Sequence, residues 1–280
     1  MGVTKSKPAN KTGSSVTNTK ISMATKTGVL SLSEHNLKEV PASKIIAAFA
    51  TAGSGGGKPA VLRALDLSSN ALESVASSLL VAPCVASSLK TLKLERNKLQ
   101  VLPEQLEYLL KLQTLDASEN RLSAVPANLP QTLETLRLAA NPKIGRVPAS
   151  LFRDFAKLVV LDLSGCGLSE LPEDAESYAT SSQLRELALD DNALVVVPVA
   201  LARLAQLRVL SLRRNRIIAA GLPPELFAAP HLERLDLHTN PITKRQLLDR
   251  PGVDALLDRR AKTRTKDGTM ADLSLCGLDD

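Results

Sequence analysis

The chain has 280 residues, 44% of them hydrophobic and 23% charged, enough for one or two cored domains or one elongated array and too apolar for disorder throughout. Aromatics are only 2%, with no tryptophan, which excludes a base-stacking nucleic-acid platform and makes the expected core aliphatic. The net charge of +6 sits at one end: residues 1–33 hold Lys5, Lys7, Lys11, Lys20 and Lys26 and no acid, so the remaining body is nearly neutral and no nucleic-acid partner is expected.

Residues 1–26, rich in Ser, Thr, Asn and Lys, predict a disordered basic arm. It opens Met1-Gly2-Val3-Thr4-Lys5-Ser6, which matches the myristoylation pattern with Gly2 as the acceptor once Met1 is removed. One acyl chain binds membranes only marginally, and Lys5, Lys7 and Lys11 supply the second signal by contacting an anionic surface. The expectation is reversible attachment at the cytoplasmic face of a membrane, set against a plain solvated tail. No stretch approaches the length of a membrane span, and no apolar core of a secretory signal is present.

From residue 27 to 243 one pattern recurs, LxxLxLxxNxL. Its first leucines stand at 62, 89, 112, 133, 158, 184, 207 and 232, in steps of 21 to 27 residues, and a degenerate copy opens with Leu30, Leu32 and Leu37 and has His35 in the asparagine slot. Cys166 takes that slot in the repeat that starts at Leu158, and Pro142 slips the preceding repeat by one residue to Ile144. Within each xLxLx core, alternation points the leucines inward and the intervening side chains to one exposed face. The asparagine turns the chain and is suited to bond backbone groups of neighbouring turns. Apolar-Pro pairs such as Leu102-Pro103 and Val197-Pro198 start return segments, and Glu104–Lys111, Ala149–Lys157 and Val199–Gln206 read as short helices. Residues 52–59 (AGSGGGKP) lack phosphate-loop spacing and read as a Gly/Ser loop insertion. Residues 244–266 place apolar side chains among charges and are expected to cap the open end of the array; 267–280 read as a flexible tail.

These repeats, with their period and consensus, resemble the leucine-rich repeat. The opening KTGVLSLSEHNLKEVP and the closing NPITKRQLLDRPGVDALLDRRAKTRTK resemble the small intracellular leucine-rich repeat proteins over about residues 23–266. The resemblance implies an α/β fold: a right-handed solenoid, or horseshoe, of about nine repeats with parallel concave strands and short convex helices or turns. It also implies a repeat-only chain in the cytoplasm, without a catalytic domain, that acts in protein–protein interaction.

Reactive chemistry is sparse. Cys84, Cys166 and Cys276 form no CxxC or CxxH pair, which fits a reducing compartment without a zinc site, and no metal or other cofactor is expected. Ser211, Asp236 and His238 can be drawn as a triad, but an open strand face offers no pocket or oxyanion hole, so no catalytic residue is assigned. The middle exposed strand positions read Asp66, Lys93, Asp116, Arg137, Asp162, Ala188, Ser211, Asp236, so charges mostly neutralise across strands. The C-terminal half is the candidate partner-binding patch: Asp190 and Asp191 face Arg213 and Arg214, with Arg208, Arg234, Asp236 and His238 nearby. Reversing Arg213 and Arg214 is expected to weaken partner capture at nearly unchanged stability. The functional expectation is a monomeric scaffold or adaptor with an unidentified protein on its concave face; the alternative is a soluble regulatory subunit of a phosphatase, small GTPase or ubiquitin ligase.

Overall fold

The computed structural model describes residues 12–52, 59–174, 176, 178, 182–267, 276 and 278. Gly2, Lys5, Lys7 and Lys11, and residues 53–58 of the insertion, lie outside them. Nine strands form one sheet in chain order: β1 (Val29–Ser31), β2 (Ala64–Asp66), β3 (Thr91–Lys93), β4 (Thr114–Asp116), β5 (Thr135–Arg137), β6 (Val160–Asp162), β7 (Glu186–Ala188), β8 (Val209–Ser211) and β9 (Arg234–Asp236). Every neighbouring pair is parallel, and the central leucines stack in register, Leu30 on Leu65, Leu65 on Leu92 and so on to Leu235. Parallel strands joined by returning segments wind right-handed, and nine of them near 4.8 Å apart span about 40 Å. These leucines and the residues two further on, leucines except for Ala117, are buried, giving one continuous aliphatic core.

The return segments are tighter than the sequence predicts. Only α2 (Ala42–Ala52) is a helix of some length on the convex side of the first repeats, followed by the single turns α3 (Ser77–Leu80) and α4 (Pro83–Ala86). Glu104–Lys111 and Val199–Gln206 shorten to 3₁₀ turns over Glu104–Tyr108 and Val199–Arg203, and Ala149–Lys157 to α5 (Ser150–Arg153); a further turn, α6, spans Pro224–Ala228. After strand, asparagine turn and proline, a short repeat has few residues left, and a 3₁₀ turn covers more distance per residue than an α-turn.

Asparagine side chains run the length of the array. Asn97 accepts the Leu72 amide at 3.0 Å on one neighbouring turn and donates to the Leu67 and Leu94 carbonyls; Asn120, Asn141, Asn192, Asn215 and Asn240 repeat the arrangement. The residue before each asparagine is forced to positive φ: Ser69, Arg96, Glu119, Ala140, Asp191, Arg214 and Thr239 lie between 49° and 59°. That left-handed geometry costs roughly 1–2 kcal/mol per residue, and the asparagine bonds offset it. Cys166 supplies a donor only, Sγ to the Leu138 carbonyl at 3.3 Å. It suffices because, after the slip, Ile144 donates to the Asn141 carbonyl and Gly145 to the Cys166 carbonyl, while Lys143, in the place of the usual donor, is exposed. Gly167 completes the adjustment: with φ at 70°, a β-carbon there would stand 2.5 Å from the Pro142 carbonyl oxygen.

Both ends depart from expectation. Instead of a disordered arm throughout 1–26, α1 (Thr12–Thr27) covers the first repeat and packs on α2 and β1. Thr17, Ile21 and Ala24, spaced i, i+4, i+7, form its buried stripe, which shields the otherwise open hydrophobic end. Gly28, at φ 75°, closes the helix by donating to the Ala24 carbonyl at 2.8 Å. At the other end, residues 244–266 form α7 (Lys244–Leu248), opened by a Thr243/Gln246 capping box, and most of α8 (Val253–Asp267). Leu247, Val253 and Leu256 are buried, and Arg259 donates to the Phe227 and Leu232 carbonyls left by the last convex turn. The tail is not free along its length: Cys276 and Leu278 are buried, and the Leu237 amide donates to the Cys276 carbonyl at 2.7 Å, as each strand elsewhere donates to the next. The unpaired groups of β9 demand that partner.

Candidate protein-binding surface

The strand register sets the exposed face in columns. The first, Thr91, Thr114, Thr135, Val160, Glu186, Val209, Arg234, is mostly β-branched; the second, from Ser31 through Asp66 to Asp236, carries alternating charge. Several aspartates also build their own corner: Asp66, Asp116 and Asp162 accept the amide two residues on, from Ser68, Ser118 and Ser164. Their orientation is fixed before any partner arrives.

The C-terminal patch comes together, but its wiring differs from a simple facing of Asp190-Asp191 on Arg213-Arg214. Asp190 accepts the Ser211 hydroxyl at 2.6 Å and the Arg213 backbone amide at 2.8 Å. The Arg213 guanidinium reaches on to Asp236, with Nη2–Oδ2 2.6 Å, while Arg234 approaches the same oxygen at 3.6 Å and the His238 backbone amide donates to the other at 3.2 Å. Burial pushes the Asp236 carboxyl up, yet these bonds and the charges of Arg213 and Arg234 outweigh it and hold the group below the ordinary carboxylate range. Asp191 and Arg214 form a fork, with Nη2–Oδ2 2.6 Å, and that bond holds the Asp191 carboxyl low as well. Arg208 stands one residue before β8, with its side chain 3.8 Å from Glu233, at the margin of the patch.

The two main pairs are unequal. Asp236 keeps only 9% of its side chain exposed against 38% for Arg213, whereas Asp191 and Arg214 are 47% and 51% exposed. Reversing Arg213 would set a carboxylate against a nearly buried one, so the expectation of unchanged stability for the double reversal is corrected. Ser211 donates to Asp190, a carboxylate outside the paper triad.

Sequence reading overlooked Glu95. It stands in the third column, its Oε2 is buried without a hydrogen bond, and burial first, then Asp116 and Asp66, push its carboxyl up. The signal was available: Glu95 is an acid at a column position where the repeats of β2 and β4 carry the serines Ser68 and Ser118 just past their strands. Among the described residues no helix is long and apolar enough to cross a membrane, and no His/Cys/Asp/Glu group is placed to hold a metal.

The Leucine Rich Repeat family model matches residues 157–177. Keratocan from Coturnix japonica is 27% identical over 66% of this chain and 59% of its own length. Podocan-like protein 1 from Homo sapiens is 33% identical over 56% of this chain and 36% of its own. The chain thus spans about half the length, or less, of these curated relatives. Among solved structures, the Arabidopsis receptor kinase HAESA, in complex with the peptide hormone IDA and the co-receptor SERK1, superposes with a TM-score of 0.58 at 26% identity, covering 77% of this chain and 38% of that one. The matching family model is a repeat rather than a catalytic domain, and leucine-rich repeat proteins act in protein–protein interaction. Consensus, stacked register, asparagine ladder and these relatives agree that the chain is a leucine-rich repeat protein.

Proposed function

We propose that the protein is a non-enzymatic adaptor that presents its concave face to a protein partner, with the patch from Asp190 to His238 as the contact, and that it is held at the cytoplasmic face of a membrane through a myristoyl group on Gly2 and the lysines 5, 7 and 11. The observation that carries the reading is the face itself: a parallel sheet in unbroken register, floored by buried leucines, on which polar side chains stand pre-oriented by bonds to their own backbone. Pre-orientation lowers the entropy cost of binding. The HAESA complex supports the choice of a protein or peptide partner. Three cysteines without a disulfide support a reducing compartment, and the pattern Met1-Gly2 to Ser6 supports acylation.

Within the patch, Asp191 and Arg214 are the exchangeable pair: both are half exposed, so a partner can break their fork and replace it without leaving a buried charge. Arg213 and Asp236 hold the strands. The test is a charge swap, Asp191→Arg with Arg214→Asp, which keeps the internal pair and inverts the field seen from outside. Proximity labelling in the native cell should lose its dominant concave-face neighbours in the swap at an unchanged unfolding midpoint; an identical neighbour profile overturns the patch. Intact mass from the same cells should show loss of Met1 and gain of one myristoyl chain, and Gly2→Ala should move to the soluble fraction. An unmodified mass overturns the membrane reading and leaves a soluble regulatory subunit.

A further inference from the structure

The N-terminal end of the solenoid carries a surface separate from the concave patch. With Thr17, Ile21 and Ala24 turned inward, helical spacing gathers Val16, Lys20, Met23 and Lys26 on another side of α1. Met23 is 63% exposed and Val16 48%. Lys44 of α2 stands across a groove from Asn18, Ser22 and Thr25 of α1. Gly28 brings in a fourth cation: its carbonyl accepts the Arg63 amide at 2.7 Å, and a β-carbon there would stand 3.5 Å from Arg63 Cγ, so the arginine stem lies across the end of α1.

The whole positive excess of the chain sits at this end. Residues 1–65 hold nine basic and two acidic side chains, and the other 215 residues hold 26 and 27. Neither α1 nor α2 contains an acid, and Lys20, Lys26, Lys44 and Arg63 form no ion pair among the described residues. The two acids of the first repeat, Glu34 and Glu39, stand past the far end of β1, and Lys38 beside Glu39 offsets one of them. Asp66 turns to the concave face, where it accepts the Ser31 and Ser68 hydroxyls. At the position just before each strand, Lys90 follows Arg63, and the first acid, Glu134, comes two strands later and accepts from Gln113.

We infer that this end face lies on an anionic phospholipid surface, with Val16 and Met23 at the headgroups and Lys20, Lys26, Lys44 and Arg63 around them, so that the solenoid stands on its first repeat and leaves the concave patch to its protein partner. This orientation rests on the membrane reading above and adds a lipid class to it. Lipid-binding surfaces gather about four to eight cations; four stand here beside exposed aliphatic side chains, and Lys5, Lys7 and Lys11 precede them in the chain. Ten residues lead from Gly2 to Thr12, so an acyl group on Gly2 keeps the start of α1 within about 35 Å of the bilayer. Three of the four cations are lysines, point charges suited to a diffuse layer of phosphates rather than to one fixed carboxylate.

The test uses the full chain acylated at Gly2 and vesicles of phosphatidylcholine with or without phosphatidylserine. Because the chain has no tryptophan, single reporters read the orientation: Met23→Trp should be quenched by brominated lipid, and Leu248→Trp, exposed on α7 at the opposite end, should not. Lys26→Glu with Arg63→Glu should weaken partitioning onto the phosphatidylserine vesicles at least about tenfold, ~1.4 kcal/mol. Arg203→Glu with Arg216→Glu, exposed cations of a distant repeat, makes the same change of net charge and should leave partitioning nearly unchanged. Should the first reversal detach α1, the two reporters decide alone. An acylated parent chain that binds neither vesicle overturns the membrane reading and this orientation with it. Where the parent chain binds, the orientation alone is overturned by equal binding to phosphatidylcholine, by equal quenching of the two reporters, or by an equal effect of the two reversals. A dimer dissolved by Lys26→Glu with Arg63→Glu would give the face to a second copy and overturns it as well.

Discussion

Asn141→Ala is the sharpest perturbation of the fold. The side chain is fully buried; its Oδ1 accepts the Leu122 amide at 2.9 Å, and its Nδ2 donates to the Ala117 carbonyl at 3.0 Å and the Leu138 carbonyl at 2.8 Å. After truncation both carbonyls keep a partner, Asn120 for Ala117 and Cys166 for Leu138. The Leu122 amide keeps none, and an orphaned buried donor costs about 1–3 kcal/mol on top of the lost net bonds. The expected total is about 3 kcal/mol. Cys166→Ala, in the same slot one repeat on, removes only a weak thiol bond and a small volume, because the slip turns the Ile144 and Gly145 amides onto the Asn141 and Cys166 carbonyls and leaves no buried amide on the slot; about 1 kcal/mol is expected. Urea unfolding followed by far-UV circular dichroism gives both values, and hydrogen exchange should show the Leu122 amide deprotected only in the first variant. Equal costs for the two substitutions, or a protected Leu122 amide in Asn141→Ala, would refute the reasoning.

Other outcomes follow from single positions. Gly167→Ala should cost well over 2 kcal/mol, because positive φ and a collision with Pro142 act together, whereas Gly145→Ala, whose β-carbon would meet nothing nearer than 4.0 Å, should lose only about 1 kcal/mol of conformational energy; similar losses in thermal scans would contradict the steric account. Because the Asp236 carboxyl is held low, its pairing stabilises the fold fully above the unfolded carboxyl value of about 3.9 and fades as pH falls through the lower folded value. Arg213→Ala should therefore destabilise at neutral pH by about 2 kcal/mol and show a shallower acid limb in stability against pH; an acid limb of unchanged slope argues against the pair. Glu95 runs the opposite way, its raised carboxyl opposing the fold when ionised, so Glu95→Gln should gain a few tenths of a kcal/mol at pH 7 after solvent screening. A loss of stability there would mean that the carboxylate has a favourable role.

The concave columns were legible because strand alternation leaves no freedom: once Leu65 and Leu67 point inward, Asp66 must point out, and the repeat step brings Lys93 beside it. The candidate patch was legible only as a neighbourhood. Which arginine meets which aspartate depends on side-chain reach across a twisted sheet, and Arg213 passes over Asp190 to the deeper Asp236.

The ends mark the boundary most clearly. Composition describes residues 12–26 as a polar arm, and its buried stripe of Thr17, Ile21 and Ala24 is too weak a period to read as a helix by itself. Helix formation there is decided by the unsatisfied hydrophobic face of the first repeat, as pairing of Cys276 is decided by the open edge of β9. By itself the sequence determined the repeat, its period, the inward leucines and the asparagine turn, because each is a local pattern that every copy restates. Tertiary structure alone decided the end caps, the ion-pair wiring and the coupled trio Pro142, Cys166 and Gly167, because these depend on surfaces and backbone groups that exist only once neighbouring turns have stacked.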